Sequence, residues 1–205
     1  MSSLPTLQHR LKDQARREVA DVAMRLFIEG GFDSTTVDQI CAAAGLSRRT
    51  FFRYFQGKES VVVAVLDELA DAGSLMFAAR PDDDVWSVLR HCMDPFVAWS
   101  EENHARALET IRLVEEDSAL RSAYLLRVDQ WRGSLTQLVA ARLGPLPDRD
   151  LRAAVVAAAG MGAFLAGGRE WQLGGGEASL AEVFDRAFAA MSPTPGLGPV
   201  QNRRA

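Results

Sequence analysis

The sequence predicts an all-α protein, and three observations lead to that prediction. Apolar residues recur at helical spacing through most of the 205-residue chain, and breaks rich in glycine or proline interrupt them at intervals. No segment needs the alternating pattern of a β-strand. The composition, 48% hydrophobic and 24% charged, is that of a chain that buries a substantial core in one or two domains.

The helices are assigned from the apolar stripes between these breaks. Residues 1–9 are predicted to form a flexible arm before a first helix that ends at Gly30. A linking helix is predicted from about Lys58 to Ala79. Later helices are predicted at about 84–100, 104–115, 118–143, 150–173 and 179–191. Pro95 should kink the first of these, because proline removes a backbone hydrogen bond.

Between Thr36 and Lys58, two short helices are predicted to meet at a tight turn. Thr36 and Gln39 form a capping box that begins the first helix. Gly45 ends that helix, since glycine readily adopts the left-handed backbone conformation. Ser47 is a natural N-cap for the second helix. The segment is therefore predicted to be a helix-turn-helix.

The second helix carries different chemistry on its two faces. Phe51, Tyr54 and Phe55 recur at i, i+3 and i+4, which directs them toward a core. The opposite face presents Arg48, Arg49, Phe52 and Arg53. A solvated surface helix normally mixes charge signs, whereas a helix that enters the DNA major groove uses arginines for guanine edges and phosphates. The alternative is a surface helix in another kind of bundle.

The runs GFDSTTVDQI and AGLSRRTFFRYFQGKES resemble the helix-turn-helix of the tetracycline-repressor (TetR) family of bacterial transcription factors. The resemblance implies an all-helical homodimer in which a three-helix DNA-binding domain precedes a larger helical domain for effector binding and dimerisation. We therefore predict a DNA-binding domain at 1–60 with its helix-turn-helix at about 36–55, an effector-binding and dimerisation domain at 61–192, and a disordered tail at 193–205.

The same resemblance implies which residues contact double-stranded DNA. Base contacts fall to Arg48, Arg49, Thr50 and Arg53. Phosphate contacts fall to Thr36, Tyr54 and Lys58. Phe52 stands where the family usually has tyrosine, so a hydroxyl contact to phosphate is lost and the ring is expected to touch a thymine methyl group.

The charge distribution agrees with DNA binding at one end of the chain. Residues 1–60 carry nine Lys or Arg against seven Asp or Glu, whereas the remainder carries fourteen against twenty. The net charges are therefore +2 and −6, which together give the −4 of the whole chain. Phosphate should be attracted to the basic end and repelled by the acidic remainder.

The segment AAVVAAAGMGAFLAGG and the helix after it predict a dimer interface, because small residues let helices approach closely. The predicted interface comprises Val156, Ala159, Gly160, Ala163, Gly167, Phe184 and Phe188. Two-fold symmetry would place two recognition helices about 34 Å apart, which implies a palindromic operator. The alternative keeps the small residues inside the core of one subunit.

Aromatic and methionine residues between these two regions predict an apolar effector site. The kink expected at Pro95 should leave a gap between helices that an apolar molecule can fill. The predicted site comprises Trp86, Met93, Phe96, Trp99, Arg127, Trp131, Phe164 and Trp171. This half of the chain resembles the effector domain of regulators that bind acyl-CoA-like molecules, which implies that Arg127, Arg90 or Arg169 meets a phosphate or carboxylate. The alternative is that these residues are ordinary core.

Together these features predict a ligand-responsive repressor that a small apolar, acyl-CoA-like effector releases from DNA. The alternative is a constitutive DNA-binding or architectural protein of the same fold. No nucleophile–base pair, phosphate loop or usual metal-ligand spacing is readable, so we predict neither an enzyme nor a metal or cofactor. A signal peptide is not predicted, and the longest apolar run is shorter than the ~20 residues of a membrane span, so we expect a cytoplasmic protein without a membrane partner.

Overall fold

The computed structural model describes residues 7–80 and 83–191, with the side chains of 14–64, 66–80 and 83–191. These ranges contain ten helices and no strand, which confirms the all-α prediction. The helices are α1 (Leu7–Gly30), α2 (Val37–Ala43), α3 (Arg48–Tyr54), α4 (Lys58–Ala78), α5 (Val85–His91), α6 (Asp94–Glu102), α7 (His104–Glu116), α8 (Ser118–Leu143), α9 (Arg149–Leu173) and α10 (Leu180–Ala189).

Part of the predicted amino-terminal arm is helical. Helix α1 begins at Leu7, so residues 7–9, which were predicted to belong to a flexible arm, are helical. The rest of that arm and the predicted tail at 193–205 lie outside the described residues.

The described helices pack as two compact units. The amino-terminal unit contains the chain up to Asp71 together with Ala105–Arg127, and the carboxy-terminal unit contains Ala72–His104 together with the chain from Val128 onward. Helices α4 and α8 therefore contribute to both units. The functional boundary at residue 60 stays a prediction, and the packing adds α7 and the first part of α8 to the amino-terminal unit.

One apolar cluster forms the core of the amino-terminal unit. Phe27 of α1 and Phe51 of α3 are at most 1% exposed within it. Leu113 and Val114 of α7 and Leu120 of α8 complete the same cluster. Residues distant in sequence thus cover the base of the helix-turn-helix, which is why α7 belongs to this unit.

The helix predicted at 84–100 is two helices, α5 and α6, so the prediction of one kinked helix was wrong. Pro95 lies in the first turn of α6, where a missing N–H is tolerated because those groups lack intrahelical partners. The chain turns at Cys92 and Met93, where the Met93 N–H donates to the Arg90 carbonyl at 3.0 Å. The carbonyl of Cys92 lies so close to α4 that a Cβ on Gly73 would be 2.4 Å from it.

The carboxy-terminal unit is built around the pair α9 and α10, which pack with α5 and α6. Small residues permit this packing. A Cβ on Gly167 would lie 2.6 Å from Cδ1 of Phe184, and one on Gly160 would lie 3.4 Å from Cδ1 of Leu89. These glycines therefore bring α9 close to α10 and α5 of the same subunit.

Helix α9 is also long and apolar enough, by length and composition, to cross a membrane. The buried core helix of a soluble protein passes the same test. Helix α9 buries Met161, Phe164 and Trp171 against the rest of its unit, so packing accounts for part of its apolar character.

Candidate nucleic-acid interface and effector site

The first half of the helix-turn-helix is shaped by contacts among neighbouring residues. The Gln39 N–H donates to Oγ1 of Thr36 at 3.2 Å, and the Thr36 N–H donates to Oε1 of Gln39 at 2.7 Å. At the other end, Gly45 has φ +65°, and the Leu46 N–H donates to the Cys41 carbonyl at 3.0 Å. Both the capping box and the glycine turn predicted from the sequence are confirmed.

Helix α3 begins and packs as predicted. Oγ of Ser47 accepts from the Thr50 N–H at 3.1 Å and caps the helix. Phe51 and Phe55 are 0% and 2% exposed, with ring centroids 5.3 Å apart. Tyr54 is half-buried against the same cluster. Because this aromatic edge is anchored, the opposite face of α3 is held toward solvent.

The outward face presents the predicted base-contact residues. Arg48, Arg49 and Arg53 are exposed, and Phe52 is 48% exposed. Nη1 of Arg48 lies 2.7 Å from Oδ1 of Asp38, and its guanidinium lies 5.7 Å from the Phe52 ring centroid. The sequence analysis missed this partner, although Asp38 is the nearest carboxylate before Arg48 in the sequence.

The other two arginines of α3 differ in the contacts that their side chains make. Nη2 of Arg53 donates to the Tyr54 hydroxyl at 3.1 Å, and its guanidinium lies 4.9 Å from the Tyr54 ring centroid. Arg49 has no ion pair or side-chain hydrogen bond with any other described residue. Of the three, Arg49 is therefore the arginine with the fewest contacts to give up on meeting a base.

Lys58 and Thr36, predicted to contact phosphate, both stabilise the fold locally. Nζ of Lys58 donates to the carbonyls of Phe32, Asp33 and Thr35 at 2.7, 3.3 and 3.4 Å. The ammonium also lies 4.2 Å from the Phe32 ring centroid. Lys58 thus ties the loop before α2 to the start of α4, which gives it a positioning role beside any contact with DNA.

Three predicted effector residues form a ring cluster in the carboxy-terminal unit, namely Phe96, Trp131 and Phe164. Phe184, which was predicted to lie in the dimer interface, completes this cluster through its contact with Phe164. The centroids of Phe96 and Phe164 are 4.7 Å apart. Trp131 is half-buried and lies 6.1 Å from Phe96 and 6.4 Å from Phe164. These rings occupy the space in which the sequence analysis placed an effector, so a molecule binding there has to part them.

The other predicted effector residues of the carboxy-terminal unit differ in their exposure. Trp171 is 3% exposed, and its Nε1 donates to the Ala178 carbonyl at 2.8 Å, which closes the turn between α9 and α10. Met93 is 4% exposed and Trp99 is half-buried. Trp86 is 40% exposed and lines a separate groove between α5 and α10.

Arg127 belongs to the amino-terminal unit and is paired there. Its Nη2 lies 2.5 Å from Oδ1 of Asp67 in α4, and Nη2 of Arg16 in α1 lies 3.8 Å from Oδ2 of the same carboxylate. Burial raises the pKa of Asp67, although hydrogen bonding and the charge of Arg127 oppose that shift. The ion cluster of Arg16, Asp67 and Arg127 thus joins α1, α4 and α8.

The predicted dimer residues divide by exposure. Gly160, Ala163, Gly167 and Phe184 are buried within the subunit. Val156, Ala159 and Phe188 are half-buried. A different stripe of α9 faces solvent, namely Leu151, Val155, Ala158, Gly162 and Ala166.

The comparisons with known families cover both units. Residues 19–65 match the model of bacterial regulatory proteins of the TetR family, and residues 83–195 match that of the MftR C-terminal domain. The transcriptional regulator TcmR of Streptomyces glaucescens is 28% identical over 200 residues, covering 92% of this chain and 88% of TcmR. The regulator MftR of Mycobacterium tuberculosis is 27% identical over 180 residues, covering 87% of this chain and 90% of MftR.

Solved structures share the fold. The regulator FadR from Bacillus subtilis, in complex with stearoyl-CoA, aligns with a TM-score of 0.56 and 14% identity, covering 84% of this chain and 95% of that one. The Thermus thermophilus repressor FadR, in complex with lauroyl-CoA, aligns with a TM-score of 0.51 and 23% identity, covering 88% and 99%.

The matches extend over the helix-turn-helix and over most of the helices that follow it. The relatives that span most of the chain are DNA-binding regulators rather than enzymes. The chain therefore belongs to the TetR family of bacterial regulatory proteins and is a transcriptional regulator that binds DNA through its helix-turn-helix.

Proposed function

We propose that this regulator is a cytoplasmic repressor that binds a palindromic operator as a homodimer and is released by a small apolar effector of the acyl-CoA type. The main support for DNA binding is the outward face of α3. Arg48, Arg49 and Arg53 are exposed there, opposite a buried aromatic edge. Arginine is the residue most often used to read guanine in the major groove.

The solvent-facing stripe of α9 supports the homodimer. Leu151 and Val155 are 66% and 59% exposed, and Ala158, Gly162 and Ala166 continue the stripe at helical spacing. Gly162 has no atom within 4 Å of the position of a Cβ, so a second helix has room to approach it. Val156, Ala159 and Phe188 border this surface in the proposed interface, and the buried glycines support it from beneath.

The ring cluster is where we place the apolar part of the effector. The two FadR neighbours are complexes with stearoyl-CoA and lauroyl-CoA, and they support an acyl chain as the ligand class. Trp131 makes the longer ring contacts of its cluster, at 6.1 and 6.4 Å, and is half-buried. Displacing Trp131 would therefore open the cluster with less loss of contact than separating Phe96 from Phe164.

Helix α4 is the proposed link between effector and DNA. Within the amino-terminal unit, Asp67 of α4 is held by Arg127 of α8 and Arg16 of α1, so a shift of α4 on effector binding would strain this ion cluster. Because α4 follows the helix-turn-helix directly, a shift of α4 changes the position of α3. Release requires different affinity for the two states, and a hundredfold preference corresponds to ~2.7 kcal/mol of coupling.

The experiment begins with operator sites selected from genomic DNA by the purified protein. The selected sites should contain inverted half-sites about one helical turn, ~34 Å, apart. Stearoyl-CoA should release a fluorescently labelled site in an anisotropy titration, whereas coenzyme A without an acyl chain should not. Tryptophan fluorescence should change over the same concentration range.

Two variants separate effector binding from DNA binding. Trp131→Ala should blunt release while leaving operator affinity near that of the wild type, and Leu125→Ala, an exposed position on the same helix, is its control. Asp67→Asn should shift the acyl-CoA concentration needed for release without changing half-site spacing.

Selected sites without two-fold symmetry would refute the proposal of a dimer. If acyl-CoA leaves the complex intact, this ligand class is wrong.

A further inference from the structure

A groove of about 520 Å³ lies between α5 and α10 in the carboxy-terminal unit. Trp86, Arg90 and His91 line it from α5, with Asp84 at the N-cap of that helix. Asp185, Phe188 and Met191 line it from α10 and the residues that follow. A volume of this order suits a drug-sized molecule, and the lining shares no residue with the ring cluster or the outward face of α3.

The one arginine of the groove is already engaged by protein groups. Nε of Arg90 donates to Asp185 at 2.6 Å, and Nη1 donates to Asp94 at 2.9 Å. Nη2 donates to the Ala181 carbonyl at 3.1 Å. An anionic ligand would have to replace these partners, so the groove disfavours phosphates and carboxylates.

Negative charge predominates around the groove. Asp84 and Asp185 line the groove, and Asp94 pairs with Arg90 beside it. The charge of Arg142 also acts on Asp84, so these three carboxylates exceed the two guanidinium groups by one negative charge. Hydrogen bonds from Ser87, and then from the Trp86 N–H, hold the pKa of Asp84 below its usual range, so this carboxylate is ionised at neutral pH. A cation is therefore the complementary ligand charge.

The groove also has apolar surface for a ligand to cover. The Trp86 side chain is 40% exposed, and Phe188 and Met191 are half-buried. A tryptophan face that is open to solvent beside carboxylates attracts organic cations through the ring quadrupole.

We propose that this groove is a second ligand site, which binds an amphipathic organic cation with its apolar part against Trp86 and Met191 and its ammonium group beside Asp84 and Asp185. The site differs from the proposed effector site in place and in ligand charge. It can accept a ligand whether or not acyl-CoA is the effector.

Three probes of one shape test the ligand class. 2-Naphthylmethylammonium, neutral 2-naphthylmethanol and 2-naphthylacetate are titrated into the full chain without DNA, by calorimetry at neutral pH and low salt. The ammonium should bind saturably and most tightly, and added salt should weaken its binding. Because DNA is absent, failure here leaves the proposed repressor function untouched.

Variants locate the site. Trp86→Ala should raise the Kd of the ammonium by about 2- to 30-fold, the range of a cation–π contact. Asp84→Asn should also raise it, and asparagine preserves the N-cap of α5, so this variant keeps the fold. Asp129→Asn removes one exposed carboxylate on α8 and should change the Kd less than twofold. Equal Kd values for Asp84→Asn and Asp129→Asn, equal binding of the anionic probe, or no saturable binding of the ammonium would each overturn the proposal.

Discussion

Helix α3 and the ring cluster of the carboxy-terminal unit both contain aromatic core, but they relate it to function in different ways. In α3, Phe51 and Phe55 are buried on one face while Arg49 and Arg53 are exposed on the other. In the ring cluster, Phe96 and Phe164 are buried and are also the residues predicted to contact an effector.

This difference determines whether a substitution can change function without also changing stability. On α3 the residues predicted to read DNA can change without disturbing the core, because the charged residues and the buried residues lie on opposite faces of the helix. In the ring cluster an apolar ligand and an apolar core need the same side chains. Variants of the two regions should therefore differ in whether stability changes together with function.

The largest effect is expected where a predicted effector residue belongs to the core. Trp171→Ala should lower the free energy of unfolding by ~3–5 kcal/mol, because it leaves a cavity and an unpaired Ala178 carbonyl. Trp86→Ala, at a side chain that is 40% exposed, should cost less than ~1 kcal/mol. Urea denaturation followed by circular dichroism measures both. Equal losses would mean that the two tryptophans do not differ as described.

Two glycines of α9 offer a matched pair for the proposed interface. Gly160→Leu should destabilise the subunit by ~1–3 kcal/mol or more, since its Cβ would already lie 3.4 Å from Leu89. Gly162→Leu has open space and should leave the subunit folded while weakening the dimer. Denaturation and sedimentation velocity distinguish these effects. A Gly162→Leu dimer as tight as the wild type would exclude the exposed stripe of α9 from the interface.

On α3, function should change without stability. Arg49→Ala and Arg53→Ala should each lose ~1–3 kcal/mol of discrimination at an affected base pair and alter unfolding by less than ~0.5 kcal/mol. Binding to a set of single-base operator variants measures the discrimination.

Lys58→Ala is the contrasting variant for these arginines. It removes three hydrogen bonds to backbone carbonyls, so it should weaken binding to all sequences alike and also lower stability. If the arginine variants bind operator and random DNA with equal losses, α3 does not read bases.

The smallest expected effect is a difference in alkylation rate between Cys41 of the amino-terminal unit and Cys92 of the carboxy-terminal unit. Burial raises the pKa of Cys92 to about 12, and it also raises that of Cys41 in α2. With so little thiolate present at pH 8, Cys92 should react with iodoacetamide more slowly than Cys41. Peptide mapping of the native protein by mass spectrometry measures both rates, and labelling in urea is the control. Faster labelling of Cys92 would show that the carboxy-terminal unit opens more readily.

Local features of the helix-turn-helix were determined by the sequence itself. The Thr36 capping box, the Gly45 turn and the Ser47 cap each depend on contacts within a few residues, so their residue types predict them directly. The outward direction of the α3 arginines follows from helical periodicity once the aromatic edge is assigned to the core.

Only the tertiary structure decided which charged side chains form ion pairs with each other. Arg48 pairs with Asp38 across 10 positions, Arg127 with Asp67 across 60, and Arg90 with Asp185 across 95. It also decided that Gly160 and Gly167 face their own subunit and that the predicted effector rings contact one another. Composition and periodicity report which side chains are apolar or charged, but the partner of each depends on how helices distant in sequence pack, which no local pattern encodes.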